Sequence, residues 1–293
     1  QDQEGKQLYG LVEKNFFYPL TELSKRLNGA EHLPDTLLEA LELGDQLIDL
    51  AYQLIDEGKE KGILQEVERS LADVQLLAPI LRTRKNIFCV GKNYREHVKE
   101  MGPDPVPEHV IIFTKPPTAI IGDGDVIPRH RGVTEALDYE GELAVVIGKR
   151  GKDIPVEQSM DYVFGYTILN DITARDLQKR HVQFFLGKGL DGSSPLGPWI
   201  VDKKEIPDPH ALKLETKVNG EVRQKGHTSE MIFSIPEIIS TLSRGMTLEP
   251  GDIIATGTPA GVGKGFNPPK YLQSGDVIEI TIEKIGTLRN SVE

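Results

Sequence analysis

The stretch that most constrains this fold is Leu143-Ala-Val-Val-Ile147, an unbroken apolar run entered through the acidic Asp138-Tyr-Glu-Gly-Glu142. Such a run bounded by polar residues reads as a buried strand. Alternate side chains of a strand point the same way, so Glu140 and Glu142 present two carboxylates to one face as the chain enters it. Two carboxylates placed this way repel each other unless a positive charge sits between them. A divalent metal is the economical solution. Asp171, at the end of the apolar run Tyr166-Thr-Ile-Leu-Asn170, would supply a third ligand. All-oxygen donors suit a hard cation, Mg²⁺ first and Mn²⁺ or Ca²⁺ next. The residues alone leave open a second reading, a solvated strand edge with ordinary surface acids.

The chain has 293 residues, enough for one large domain and a smaller one, and it can bury a sizeable core. A formal charge of -11 argues against a general nucleic-acid binder, which needs a basic face to neutralise phosphates. No apolar run approaches the roughly 20 residues needed to cross a bilayer, so no membrane partner is expected. The first residues are polar and acidic, without the pattern of a signal peptide. The single cysteine, Cys89, excludes an internal disulfide and fits a reducing cytoplasm. In Asn86-Ile-Phe-Cys-Val90 it reads as a small core residue.

Residues 8–20 read as a hairpin turning at Lys14-Asn15, and 34–43 and 47–55 carry helical spacing. The charged Glu57 to Gly62 run reads as a solvated helix end or loop. Ala78-Pro79-Ile80 and the basic Arg82-Thr-Arg-Lys85 mark a boundary, which gives a small α+β domain over 1–80 and a larger domain over 81–293. Residues 86–90 form the next strand, and 91–102 a turn into a short helix ended by Gly102 and Pro103. His97 and Glu100 stand three apart, on one helical face, so Glu100 can orient His97 as a general base; the alternative is an exposed helix whose histidine does nothing. The proline-rich loop 103–107 suits a lid. Strand 110–113 precedes a turn at Lys115-Pro-Pro-Thr118, and 173–185 reads as one helix with Arg175 and Gln178 a turn apart. Lys188 lies among glycines that let backbone approach a ligand. Neither Gly187-Lys-Gly189 nor Thr258-Pro-Ala-Gly-Val-Gly-Lys-Gly265 completes a phosphate loop, the second because Gly265 stands where Ser or Thr is needed. The C-terminal third reads as strands at 212–218, 251–256 and 275–282, with an Asn219-Gly220 hairpin turn and one amphipathic helix over 234–244. Regular β-α-β alternation is missing, so the fold class is α+β, closed or sandwiched, and not doubly wound.

Five ordered motifs identify a resemblance. Gly91-Lys-Asn-Tyr94 with His97-x-x-Glu100, Asp138-Tyr-Glu140-Gly-Glu142, Asn170-Asp171-x-Thr-Ala-Arg175-Asp-x-Gln178, Gly-Lys188-Gly and Thr256-Gly-Thr258-Pro-Ala-Gly-Val-Gly together resemble the fumarylacetoacetate hydrolase family, from about residue 80 to the end. The first 80 residues look like the small N-terminal domain of some bacterial members. The resemblance implies a mixed β-sandwich roll, a homodimer, and one Mg²⁺ or Mn²⁺ held by Glu140, Glu142 and Asp171. Family members cleave carbon-carbon bonds in acylpyruvates or fumarylacetoacetate, decarboxylate oxaloacetate, or isomerise related dienedioates. By the same resemblance His97, Glu100 and Lys188 are the catalytic residues, while Arg175, Gln178, Tyr94 and Thr258 meet the substrate.

The chemistry expected here is metal-dependent hydrolysis of a 1,3-dicarbonyl acid of the acylpyruvate type. His97 would deprotonate a water, and Lys188, Gln178 or Arg175 would donate to the oxyanion. Decarboxylation of oxaloacetate is the alternative on the same scaffold, and a binding protein that has lost catalysis is the alternative of another class. Two departures bear on the substrate: family members often carry Ser where this chain has Gly189, and the threonine four residues after the loop lysine is Gly192 here. Both favour a smaller 2-oxo acid than fumarylacetoacetate.

Overall fold

The computed structural model describes residues 1–293 apart from 3, 29–32 and 104. Its centre is a seven-stranded mixed sheet in the order Ile111–Lys115, Ile87–Gly91, Ile253–Ala255, Gly141–Ile147, Val163–Asn170, Ser194–Asp202 and Ile120–Ile121. Gly141–Ile147 is buried along its whole length, which is why its sequence does not alternate. Leu143, Val145 and Ile147 point into one core and Ala144 and Val146 into another, so the strand has no solvent side.

The first core lies between this sheet and a five-stranded one, ordered Glu221–His227, Lys213–Val218, Val277–Ile282, Gly286–Val292 and Val126–Ile127. Leu214, Ile280 and Leu288 of the second sheet pack in this core with Val145 and Ile168 of the first. The helix Ile235–Ser243 closes one end through Ile235, Ile238, Ile239 and Leu242. Ser234 caps it and Glu237 completes a capping box, satisfying otherwise orphaned backbone donors for about 1 kcal/mol. The architecture is therefore α+β, two curled sheets face to face.

The second core lies on the other face of the large sheet. There Ile87, Cys89, Ala144, Val146 and Ile253 meet Leu41, Leu47, Ala51, Leu54 and Ile55 of the N-terminal helical segment. The helix Asp45–Glu60 presents this apolar stripe at spacings of three to four residues. The hairpin Gly10–Glu13 with Phe16–Pro19 turns at Lys14, whose φ is 57°, and Arg69–Ser70 adds a third strand.

Three local expectations change. The span 173–185 is not one helix: Thr173–Ala174 pairs with Leu137–Asp138, a helix occupies Arg175–Arg180, and a second occupies Phe185–Lys188. The break falls at Val182, a β-branched residue at φ 63°. Lys188 accordingly ends a helical turn instead of sitting inside a loop. Lys115 belongs to the strand Ile111–Lys115, not to a turn, and its side chain is completely buried. Asp104 of the expected lid loop lies outside the described residues. The Asn219-Gly220 turn takes φ values of 52° and 78°, both left-handed, as a two-residue hairpin requires.

Candidate active site

Because the Gly141–Ile147 strand pairs antiparallel with Val163–Asn170, the start of one strand lies beside the end of the other, with Gly141 opposite Asn170. This register brings together residues separated by thirty positions. The Asp171 N–H donates to Glu140 O at 2.8 Å, and the Glu140 N–H to Asn170 Oδ1 at 3.1 Å. Carboxylate oxygens of Glu140, Glu142 and Asp171 consequently lie within 4.8 Å of one another, and all three residues are buried.

Cations surround this cluster. Lys188 Nζ bonds Glu140 Oε2 and Asp171 Oδ2, each at 2.7 Å. Lys115 Nζ lies 2.7 Å from Asp171 Oδ1 and donates to Ile172 O at 2.9 Å. Arg175 Nη2 lies 2.7 Å from Glu140 Oε1, while its Nε donates to Asp138 Oδ2 at 2.8 Å and its Nη1 to Gln178 Oε1 at 3.3 Å. Burial works against ionisation of Glu140, yet Lys188 and then Arg175 hold its carboxyl well below the usual range. Glu142 is the opposite case. Burial first, then the charges of Asp171 and Glu140, push its carboxyl well above the usual range.

The residues fit a divalent cation. Asp171 Oδ1 is buried, with the Lys115 ammonium 2.7 Å away as its one close partner among the described residues. The donor set is oxygen only, and Glu142 meets two neighbouring carboxylates with no cation in direct contact among the ion pairs of the described residues. A divalent ion between the three would relieve that repulsion.

His97 is buried on the helix Arg95–Met101, close enough that its charge acts on Glu140. Its Nδ1 lies 3.2 Å from Glu100 Oε2, and Glu100 Oε1 accepts the Gly261 N–H at 2.8 Å. The dyad is thereby tied to the loop after Ile253–Ala255. That loop is also bound to the acidic strand: the Gly257 N–H donates to Glu142 Oε2 at 2.8 Å and Thr256 Oγ1 to Leu143 O at 2.9 Å. Thr258 Oγ1 donates to Gly141 O at 2.9 Å and accepts from Gln224 Nε2 at 2.7 Å, so the hydroxyl proton is already engaged. Tyr94 is buried beside the helix start, and its hydroxyl makes no hydrogen bond. Burial, then the charge of Glu142, raise its pKa far above that of a free tyrosine, so it stays a neutral donor.

Several residues of this site carry no motif signal strong enough to single out. Lys115 looks like a turn lysine before two prolines. Gln224 lies on an edge strand, yet it bonds Gly141 N, Thr258 Oγ1 and Pro259 O. Asn93 links the helix start to Phe233 and to Thr256 O, and only its place in Gly91-Lys-Asn-Tyr94 hinted at a role. The glycines around Lys188 have packing reasons: a Cβ on Gly187 would lie 2.6 Å from Gln178 N, and Gly192, at φ 68°, would meet Pro128 at 2.6 Å.

Residues 86–293 match the family model of the fumarylacetoacetate hydrolase C-terminal domain. Oxaloacetate tautomerase YisK of Bacillus subtilis (strain 168) is 55% identical over 284 residues, covering 96% of this chain and 94% of the relative. Among solved structures, fumarylacetoacetate hydrolase from psychrophilic Exiguobacterium antarcticum superposes with a TM-score of 0.83 at 45% identity, covering 100% of this chain and 97% of that one. Fumarylpyruvate hydrolase from Pseudomonas aeruginosa, in complex with Mn²⁺ and pyruvate, superposes at 0.65 with 34% identity, covering 71% of this chain and 89% of that one.

Proposed function

From the premise that this chain belongs to the fumarylacetoacetate hydrolase family, we propose that it is a divalent-metal enzyme of small 2-oxo acids that moves a proton next to the keto group, with oxaloacetate keto-enol tautomerisation as its reaction. One observation carries the reading: the buried carboxylate triad and the His97-Glu100 dyad converge on one place, with cations on its walls. The similarity to an oxaloacetate tautomerase, which extends through the N-terminal segment, supports the choice of substrate.

Glu140, Glu142 and Asp171 would hold Mg²⁺ or Mn²⁺, which when bound supplies a Lewis acid that draws charge from the 2-oxo group and lowers the acidity barrier of the neighbouring carbon. The remaining work belongs to the chain. Four buried carboxylates, Asp138, Glu140, Glu142 and Asp171, face three buried cations, Lys115, Arg175 and Lys188, and a divalent ion turns the balance positive. An anionic acid is then drawn in against the charge of the whole protein. Glu100 accepts from His97 Nδ1, which leaves Nε2 as the nitrogen that carries the proton between the enol oxygen and the neighbouring carbon, in either direction. Arg175, a buried guanidinium held by Asp138 and Gln178, binds the substrate carboxylate.

Hydrolysis of an acylpyruvate is the second reading. It is favoured by the same dyad, since His97 Nε2 is equally placed to deprotonate a water, and by the similarity to a fumarylpyruvate hydrolase. The assay that separates the readings follows enol consumption and pyruvate release in parallel, with oxaloacetate and acetylpyruvate as substrates. Metal-dependent enol turnover without pyruvate supports the tautomerase; pyruvate from acetylpyruvate replaces it with the hydrolase, and pyruvate from oxaloacetate with a decarboxylase. We also propose a homodimer. The edge strand Ile111–Lys115 and the exposed Val182, Phe185 and Leu186 leave apolar surface that a second copy would cover, and light scattering at a monomer mass would end that proposal.

A further inference from the structure

We propose that Asp138 is a positioning residue for anion capture: it locks Arg175 against the Gly263–Gly265 turn so that the guanidinium is held for the substrate carboxylate. The side chain of Asp138 is fully buried and takes four donors. Oδ1 accepts the Tyr139 N–H at 3.0 Å and the Gly263 N–H at 2.7 Å; Oδ2 accepts the Lys264 N–H at 3.0 Å and Arg175 Nε at 2.8 Å. A carboxylate has about four acceptor sites, so none is left for a ligand, and Asp138 acts only through what it holds.

Arg175 is 5% exposed, and three different residues fix its guanidinium. Asp138 takes Nε and Gln178 takes Nη1, while Nη2 stands 2.7 Å from Glu140 Oε1. Nη2 thus faces the Glu140 carboxylate across the site, and the Nε and Nη1 bonds keep it there beside the place where an acid would enter. Without Asp138 the Nε edge has no anionic partner, and the guanidinium would swing fully onto Glu140. The same carboxylate holds the Gly263–Gly265 turn through two backbone donors, and Gly263 leaves it room, since a Cβ there would lie 2.6 Å from Oδ1. Asp138 thus joins the helix Arg175–Arg180, the acidic strand and the Gly263–Gly265 turn at one point.

The proposal rests on the reading of Arg175 as the group that meets an anion, and the test is arranged so that the two can fail separately. Two quantities are measured in the Mn²⁺-loaded protein: oxalate affinity by calorimetry, and the rate at which phenylglyoxal modifies Arg175, located by peptide mass spectrometry. Asp138→Asn, which keeps the shape and removes the charge, is expected to weaken oxalate binding about tenfold or more and to raise the Arg175 labelling rate by a similar factor. In an Arg175→Met background the same substitution is expected to change oxalate affinity by less than about threefold, because its effect passes through Arg175. Full multiplication of the two effects, or labelling of Arg175 in Asp138→Asn at the wild-type rate, overturns the proposal. Wild-type protein that ignores oxalate, with faster labelling in Asp138→Asn, overturns anion capture while leaving Asp138 as the anchor of Arg175. Should Asp138→Asn fail to fold, Asp138→Glu carries the comparison, its extra methylene displacing the same bonds.

Discussion

Gly265→Ala tests the dyad without replacing any residue of the carboxylate triad or of the dyad itself. Gly265 closes the short turn after the loop that bonds Glu142 and has no positive φ, so alanine is allowed by the backbone. Its added Cβ, however, would lie 2.0 Å from Glu100 Oε1, 2.3 Å from Cδ and 2.4 Å from Cγ. Real carbon atoms do not approach so closely, and Glu100 must swing away. Two bonds to a charged group then go, His97 Nδ1 to Oε2 and Gly261 N–H to Oε1, each worth about 1.5–3 kcal/mol at a site shielded from water. The fold should lose up to about 3–6 kcal/mol with these two bonds, less what the freed carboxylate regains by turning toward solvent. The consequence falls on proton transfer: His97 loses the partner that fixes its tautomer, and kcat for enol turnover should drop about a hundredfold. Mn²⁺ affinity, measured by calorimetry, should stay within about threefold, since no bond to Glu140, Glu142 or Asp171 is broken. The reasoning fails if Gly265→Ala turns over at the wild-type rate, or if its lost activity comes with lost metal.

Further outcomes follow from the same contacts. Glu142→Ala should abolish Mn²⁺ binding and turnover together; full activity in metal-free Glu142→Ala protein would remove the metal from the account. Asn93→Ala strands the Phe233 N–H and the carbonyls of Phe233 and Thr256, and urea denaturation should show a loss of about 2–4 kcal/mol; a loss below about 1 kcal/mol would show that these bonds are not needed. His210 accepts the Ile235 N–H through Nε2, and burial, against the opposing charges of Asp208 and Glu237, holds its pKa below the ordinary 6.5. The unfolded chain therefore binds the proton more readily, and stability should fall as pH drops below about 6.5. His210→Gln should flatten that part of the stability profile, and an unchanged slope would exclude His210 as its source.

The sequence made the two halves of the site legible for different reasons. Glu140, Glu142 and Asp171 flank long apolar runs, where an acid is out of place, and the antiparallel register then puts them together. Helical spacing placed His97 and Glu100 within contact of each other, and only the motif resemblance gave the pair a role. Lys115 was not, because a fully buried lysine and a turn lysine look alike until Asp171 is placed opposite. Gln224 was hidden in the same way on the second sheet, some eighty positions from the Gly141 that it holds. The single helix expected over 173–185 failed at Val182, where no glycine or proline announces a break. Gly265, which disqualified a phosphate loop, is explained by Glu100 packed against it.

The most direct test of the central claim is the decay of the enol absorbance of oxaloacetate in the presence of Mn²⁺, for wild type and His97→Ala side by side. The account expects wild-type protein to accelerate the decay far beyond buffer and metal alone, chelator to stop it, and His97→Ala to lose it without losing the metal. Decay at the buffer rate with metal-loaded wild type, or undiminished acceleration by His97→Ala, would contradict it.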